Sequence, residues 1–127
     1  MTDNQPIRLF IAEDSDLLRQ AIVIFFRQQP DIEVVGEAAD TEETAALCKA
    51  VQPDMLLLHA RLRPMPIAGL IQVLRKEVAD MRIVVFSATE EPFPADAFLK
   101  AGATEVVENG VLASDLLSSI QKAALKS

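Results

Sequence analysis

Short apolar segments alternate with longer segments of helical spacing along the chain. The short segments are rich in β-branched residues and predict strands over 7–12, 32–38, 54–59, 82–88 and 104–108. The segments between them, in which apolar residues recur every three or four positions, predict helices over 15–29, 44–51, 66–79, 95–102 and 114–125. Nearly continuous apolar strands are typical of a parallel sheet that is buried on both faces. The alternation therefore predicts an α/β fold, a doubly wound five-stranded parallel sheet with five helices.

Polar residues that favour helix starts precede several of the helical segments. Ser15 or Asp14 is a candidate N-cap for the first helix, and Ser114 is one for the fifth. Asp40 and Glu43 have the spacing of a capping box ahead of the second helix. These caps are a second signal for the predicted helices, in addition to the apolar spacing.

Composition narrows the class of protein. A length of 127 residues predicts one domain over 1–127, with a core from about 7 to 124. A net charge of −7 argues against direct nucleic-acid binding, which requires a basic surface. The chain holds no apolar run long enough for a membrane helix, and its one cysteine favours a reducing compartment. We therefore expect a cytoplasmic domain without membrane contact.

Polar side chains with useful chemistry follow the predicted strands. Glu13 and Asp14 follow the first strand, His59 ends the third, Ser87 lies at the end of the fourth, and Asn109 follows the fifth. The carboxyl ends of parallel strands meet at one edge of the sheet, where open α/β sheets bind ligands. We expect these residues to converge in a shallow crevice. Taken singly, such an acid pair is more often a helix cap, and such a serine is more often a turn residue.

The chain resembles the response-regulator receiver domains of bacterial two-component signalling, which have a flavodoxin-like fold. The resemblance rests on the segments "IRLFIAEDSDLLRQAI", "PDIEVVGEAADTEE", "VQPDMLLLHARL", "IVVFSA" and "AFLKAGATEVVENG". The resemblance implies that Glu13 and Asp14 match the family's magnesium-binding acids. It also implies that Ser87 matches the hydroxyl that contacts the bound phosphoryl group.

Three positions depart from the pattern that the resemblance implies. His59 stands where the family has the aspartate that accepts the phosphoryl group. Asn109 replaces a lysine that pairs with the added charge, and Val106 replaces the aromatic switch residue of the fifth strand. An imidazole is a poor ligand for Mg²⁺, so we expect neither a cofactor nor Mg²⁺ here.

Several roles remain open for His59. It can be a structural histidine that is hydrogen-bonded to Glu13 or Asp14, or one ligand of a transition metal held by the same three residues. Phosphorylation of the imidazole is a third option. An imidazole close to carboxylates is favoured in its protonated form, so His59 is also a candidate internal counter-charge that makes metal and lysine unnecessary.

We predict an atypical receiver that is not an enzyme and acts in phosphorelay signalling through protein–protein interaction, without aspartate phosphorylation. The resemblance implies a partner on the face of the fourth helix, fifth strand and fifth helix, with a homodimer as a further option. The candidate contact residues are Phe93, Phe98, Val106 and Val111, although the two phenylalanines also suit a helix core. The alternatives are a metal- or small-ligand sensor that uses the crevice, and the N-terminal receiver fragment of a DNA-binding transcriptional regulator.

Overall fold

The computed structural model describes residues 5–88, 92–108, 110 and 112–126. Its strands are β1 (Ile7–Ala12), β2 (Ile32–Ala38), β3 (Met55–His59), β4 (Arg82–Phe86) and β5 (Glu105–Val107). Its helices are α1 (Asp16–Arg27), α2 (Thr41–Val51), α3 (Ile67–Glu77), α4 (Ala95–Ala101) and α5 (Ala113–Ala124). The strands pair in parallel in the order β2-β1-β3-β4-β5, so the predicted flavodoxin-like doubly wound sheet is confirmed.

The strand order places the end of β3 in the middle of the sheet, between β1 and β4. Sheet order reverses beside β1, because β2 lies on one side of it and β3 on the other. Ligand sites of open α/β sheets form at this kind of reversal. His59 pairs in register with Phe86, so the histidine is held by neighbouring strands rather than by a loop.

The side chains of the strands alternate between two cores. Phe10, Leu56 and Leu58 pack on one face with residues of α2, α3 and α4. Leu9 and Leu57 pack on the other face with α1 and α5. Burial on both faces explains why the strands read as continuous apolar runs.

Two of the three predicted caps lie where the sequence places them. The Ser15 hydroxyl accepts a hydrogen bond from the amide of Leu18, and the Asp40 carboxylate accepts one from the amide of Glu43. The Glu43 carboxylate in turn accepts from the amide of Ala39, so α2 starts earlier than predicted, at Thr41. The prediction for Ser114 is wrong. Helix α5 starts one residue before it, at Ala113, without a side-chain cap.

Among the described residues, no helix is both long and apolar enough to cross a bilayer. Cys48 lies in the core, where burial raises the pKa of its thiol to about 12. The thiol is therefore protonated at neutral pH and serves as a small apolar side chain.

Candidate functional site

Three of the residues expected at the crevice are buried at the carboxyl edge of the sheet. Glu13 is 0% exposed, His59 2% and Ser87 5%. Asp14 follows Glu13 but is exposed. Asn109 lies outside the described residues, so its predicted place in the crevice stays a prediction. The site therefore consists of a buried part and a solvent-facing acid.

The centre of the site is a hydrogen bond between His59 and Glu13. The Nδ1 atom of the imidazole lies 2.5 Å from Oε1 of the Glu13 carboxylate. Both side chains are shielded from water, and a hydrogen bond to a charged group is stronger in such a setting. Of the two ring nitrogens, Nδ1 is thus engaged by protein.

Backbone contacts hold Glu13 in the orientation that this hydrogen bond needs. Its amide donates to the carbonyl of Ala38 at 3.0 Å, which ties the end of β1 to the end of β2. Its second carboxylate oxygen, Oε2, accepts from the amide of Ser15 at 2.9 Å. The Arg19 guanidinium donates to the carbonyl of Glu13 at 2.7 Å. These contacts fix the main chain of Glu13 and one of its carboxylate oxygens, and the other oxygen bonds the imidazole.

The imidazole ring is also held by stacking on a neighbouring ring. Its ring stacks on that of Phe86 with centroids 4.7 Å apart and an interplanar angle of 22°. Phe86 is itself buried, at 1% exposure. The stacked ring and the bond from Nδ1 together leave His59 one orientation, which favours the structural role among those considered above.

Arg61 is a site residue that sequence reasoning missed. Its guanidinium donates to the Asp14 carboxylate at 3.2 Å and lies 4.0 Å from Oε2 of Glu13. Arg61 stands two residues beyond the end of β3, and proximity to a strand end was the available signal. Its side chain is 40% exposed, which fits the solvated loop residue that such a position suggests. The contact with Asp14 adds a cation to the crevice.

Asp14 is held in its charged form by these neighbours. Its partial burial by itself raises the pKa, but its interactions with the neighbouring Glu13 and with the Arg61 guanidinium outweigh this effect. The positive charge of Arg61 acts in the same direction. The pKa of Asp14 therefore lies below its ordinary value.

The backbone around Ser87 connects β4 to the segment after β5. The amide of Ser87 donates to the carbonyl of Val107 at 2.9 Å, and the amide of Gly110 donates to the carbonyl of Ser87 at 2.8 Å. These bonds hold Ser87 at the edge of the sheet beside His59.

The aromatic residues considered for partner contact differ in exposure. Phe98 is buried at 5% exposure and belongs to the core beneath α4, so the exposed patch considered at this position is wrong. Phe93 is half-buried and meets Phe98 edge to face, with centroids 5.2 Å apart. Val106 is half-buried against the same core. Val111 lies outside the described residues.

Glu13, Asp14 and His59 offer one ligand atom each within 4.8 Å of one another, a spacing that a metal ion can bridge. This donor set does not fit Mg²⁺, which prefers oxygen ligands in a near-octahedral arrangement. The Nδ1 atom is already bonded to Glu13, and the Arg61 cation lies beside Asp14. Carboxylate and imidazole donors suit transition metals better.

Comparison with known proteins identifies the family. The family model "Response regulator receiver domain" matches residues 9–121. The chain is 30% identical over 98% of its length to the nitrate/nitrite response regulator protein NarL of Escherichia coli K12 and covers 57% of that protein. It is 26% identical over 93% of its length to the transcriptional regulatory protein LiaR of Bacillus subtilis and covers 56% of it. The chain thus spans little more than half of these relatives.

Two solved structures have the same fold. The signal receiver domain of a response regulator named NarL from Mycobacterium tuberculosis is 25% identical and superposes with a TM-score of 0.86, over 96% of this chain and 99% of that one. The response regulator domain of Thermotoga maritima CheB has a TM-score of 0.84 at 22% identity, over 97% of this chain and 99% of that one. With the fold, the strand-end crevice and the family model in agreement, the chain belongs to the response regulator receiver domains of two-component systems.

Proposed function

We propose that this chain is an atypical receiver of a two-component phosphorelay, which interacts with protein partners without accepting a phosphoryl group at the end of β3. The observation that carries the proposal is the 2.5 Å hydrogen bond from the buried His59 to Glu13. This hydrogen bond supports the proposal because the side chain at the end of β3 is already bonded to another side chain of the protein.

The first step of the argument concerns the nucleophile. Phosphoryl transfer to a receiver needs a carboxylate that attacks phosphorus, with metal and cations to neutralise the charge that develops. At the end of β3 this chain has an imidazole, stacked on Phe86 and with its Nδ1 bonded to Glu13. Attack on phosphorus by Nδ1 would require its hydrogen bond with Glu13 to break, and position 59 offers no carboxylate as an alternative nucleophile.

The second step concerns charge. The crevice contains the carboxyl groups of Glu13 and Asp14 and, against them, the imidazole of His59 and the guanidinium of Arg61. Two acids are thus matched by two basic side chains of the same chain. In such a site each carboxyl group already has a basic partner, so no unpaired negative charge is left for Mg²⁺ to neutralise. This supports a resting state without metal or phosphate.

The output is proposed to be a protein–protein contact on the face of α4, β5 and α5. Phe93 and Val106 remain candidates there, since both are half-buried and retain some exposed surface. Leu99 on α4 is 44% exposed and Leu112, just before α5, is 59% exposed. Apolar side chains at these levels of exposure can be buried by a partner.

A small phosphodonor tests the proposal directly. The wild type, the variant His59→Asp with Asn109→Lys, and the matched control His59→Asn with Asn109→Lys are incubated with acetyl phosphate and Mg²⁺. Intact mass is then measured. We expect a phosphoryl adduct only on the variant with Asp at position 59, because that variant alone supplies a carboxylate nucleophile. An adduct on the wild type, mapped to any residue of the crevice, would overturn the proposal.

Transition-metal sensing is a second candidate, favoured by the closeness of the three donor atoms of Glu13, Asp14 and His59. A ligand that binds the folded state raises the melting temperature. Thermal unfolding with Zn²⁺, Mn²⁺ and Mg²⁺, in wild type and His59→Asn, separates the candidates. A stabilisation by Zn²⁺ or Mn²⁺ that His59→Asn removes would favour the sensor over the metal-free module.

A role as the receiver of a longer regulator is compatible with either candidate. LiaR is named a transcriptional regulatory protein, and this chain covers 56% of its length. With a net charge of −7, this chain is a poor DNA ligand by itself. DNA-directed output would therefore require a partner or a further domain.

A further inference from the structure

A cavity opens beside the site, between the loop that follows β3 and the start of α4. Its volume is about 340 Å³, which lies at the small end of the range of small-molecule sites. Its lining has a polar end and an apolar wall. The polar end includes His59 and Arg61, and the apolar wall includes Ile67, Phe93, Ala97 and Phe98.

The polar end contains a ring nitrogen that the protein does not use. Within the described residues, Nδ1 of His59 is bonded to Glu13, and Nε2 has no hydrogen-bond partner. Every fully buried nitrogen or oxygen atom of the described side chains has such a partner. Nε2 is therefore not sealed inside the protein, although the His59 side chain as a whole is only 2% exposed. Because His59 lines the cavity, this nitrogen is available to a molecule bound there.

The apolar wall is shaped by aromatic rings. Phe93 and Phe98 meet edge to face with centroids 5.2 Å apart. Phe98 and Ile67 are 5% and 6% exposed, so they form the floor of the cavity. Phe93 is half-buried and keeps ring surface that a ligand can cover. An apolar wall that faces one oriented polar group is the usual arrangement of a small-molecule site, and the two rings favour an aromatic ligand.

The polar group that suits Nε2 is an uncharged hydroxyl. The Glu13 carboxylate accepts from Nδ1, so the neutral ring has its proton on Nδ1 and Nε2 accepts, whereas in the protonated ring Nε2 donates. A hydroxyl serves both states, because it can donate and accept. A charged ligand would compete with the contacts that Glu13 makes with His59 and that Asp14 makes with Arg61, and a neutral one would not.

We propose that this cavity binds a small neutral phenol, whose hydroxyl bonds Nε2 of His59 and whose ring packs on Phe93 and Phe98. The hydrogen bond between Nδ1 and Glu13 stays intact when the ligand binds. The site goes beyond the protein contact proposed above and does not depend on it. It also differs from the metal site considered there, because it uses the aromatic wall and not the carboxylates.

NMR titration of the wild type with p-cresol tests the proposal. The chain has one histidine, so the signals of its ring nitrogens are assigned without ambiguity. We expect a saturable shift of the Nε2 signal. Two matched probes isolate the hydroxyl: p-xylene replaces it with a methyl group, and p-toluate replaces it with a carboxylate. A purely apolar cavity would prefer p-xylene, because a buried hydroxyl without a partner is costly. We expect p-cresol to bind about threefold or more tightly than either probe.

A variant that fills the cavity supplies a second readout. Ala97 lines the cavity on α4 and is exposed, so Ala97→Phe puts a ring into the cavity without disturbing the core. We expect the dissociation constant of p-cresol to rise about tenfold, because the ring occupies the space of the ligand. Ala50→Phe, at an exposed position of α2, is the matched control and should leave it unchanged. Circular dichroism checks that both variants are folded.

Three results would overturn the proposal: no saturable shift of Nε2 up to the solubility limit of p-cresol, binding of p-xylene or p-toluate as tight as that of p-cresol, or binding that Ala97→Phe leaves unchanged. Each of them would leave the proposed function intact, since that is decided by the phosphodonor experiment. A phosphoryl adduct on the wild type, in turn, would not remove the binding of p-cresol.

Discussion

At the carboxyl edge of the sheet, Glu13 and Asp14 pair with basic side chains, whereas at the amino edge several arginines donate to backbone carbonyl oxygens at helix ends. Glu13 pairs with His59 and Asp14 with Arg61 at the first edge. At the second edge, Arg8 donates to the carbonyls of Gln52 and Val51 at 2.6 and 3.1 Å, next to the end of α2. Arg82 binds the carbonyl of Lys126, after the end of α5, through Nε at 3.1 Å and Nη2 at 2.6 Å.

Arg75 extends this pattern to α4. Its guanidinium donates to the carbonyl of Gly102, the residue that caps α4, at 2.9 Å, and also to the carbonyls of Ala79 and Met81. The last carbonyls of a helix lack partners within it and carry the negative end of its dipole. An arginine is suited to them because it stays charged at any ordinary pH. These arginine contacts at the amino edge require no particular protonation state, whereas the ion pair of Asp14 at the carboxyl edge requires the charged form of its carboxyl group.

The largest expected effect is at the carboxyl edge. In the variant His59→Leu, the Glu13 carboxylate keeps its buried position and its hydrogen bond from the amide of Ser15 but loses the one that it makes with His59. Breaking a buried pair by removal of one member costs about 3–5 kcal/mol, because the remaining charge is left uncompensated. We expect the free energy of unfolding to fall by about 3 kcal/mol, measured by urea denaturation at neutral pH.

A double variant shows whether the cost comes from the unpaired carboxylate. In His59→Leu with Glu13→Met both polar groups are replaced, and an apolar pair of similar volume can be as stable as a buried ion pair. We expect most of the lost stability to return. If the loss of stability in the double variant equals the sum of the losses in His59→Leu and Glu13→Met, the two side chains are not energetically coupled.

At the amino edge, Arg75→Met removes a half-buried guanidinium from the carbonyls of Gly102 and Met81. A buried acceptor left without a partner costs about 1–3 kcal/mol, so we expect a loss of about 2 kcal/mol. Lys76→Ala on the same helix is the control, since Lys76 is exposed and should change stability by less than about 0.5 kcal/mol.

The pH dependence of this loss sharpens the comparison between the edges. Burial lowers the pKa of Arg75, but the guanidinium remains charged throughout the range in which proteins stay folded. We therefore expect the loss caused by Arg75→Met to be the same in mildly acidic and mildly alkaline buffer. A loss that varies between them would show that the amino edge also depends on protonation.

The fold could be predicted because each of its signals is local. Apolar strands and helical spacing need only neighbouring residues, and Ser15 and Asp40 cap the helices that follow them. The convergence of Glu13 and His59 also follows, since parallel strands bring their carboxyl ends together. What failed is equally local: Ser114 has the right type for a cap but lies one position inside α5.

The contacts of long flexible side chains could not be predicted. Arg61 reaches Asp14 across 47 positions of sequence, and Arg75 reaches Gly102 across 27. Nothing in their immediate neighbours distinguishes them from Arg63, which is an exposed loop residue. The exposure of Leu17 and Ile24 could not be predicted either. Apolar residues beside the main apolar stripe of a helix are compatible with a largely buried helix and with one that has two apolar sides.

The smallest expected effect concerns Asp14 and Arg61 at the solvent-facing part of the carboxyl edge. The folded protein holds the pKa of Asp14 below 3.8, its ordinary value, so the charged form stabilises the fold. This contribution is complete above the ordinary pKa and is lost as the pH falls through the lower pKa of the folded state. Because the Asp14 side chain is 39% exposed, we expect less than about 1 kcal/mol.

The measurement is the difference in free energy of unfolding between wild type and Asp14→Asn, followed from neutral pH into acid. The difference should vanish in acid and should shrink at high salt, because an exposed ion pair is screened. Arg61→Met should show the same fall of the difference in acid, since it removes the ion pair from the other side, together with the longer contact with Glu13. Asp31→Asn is the control, because Asp31 is exposed and has no ion pair within the described residues. A difference that persists in acid would mean that Asp14 contributes through packing or its backbone rather than through its charge.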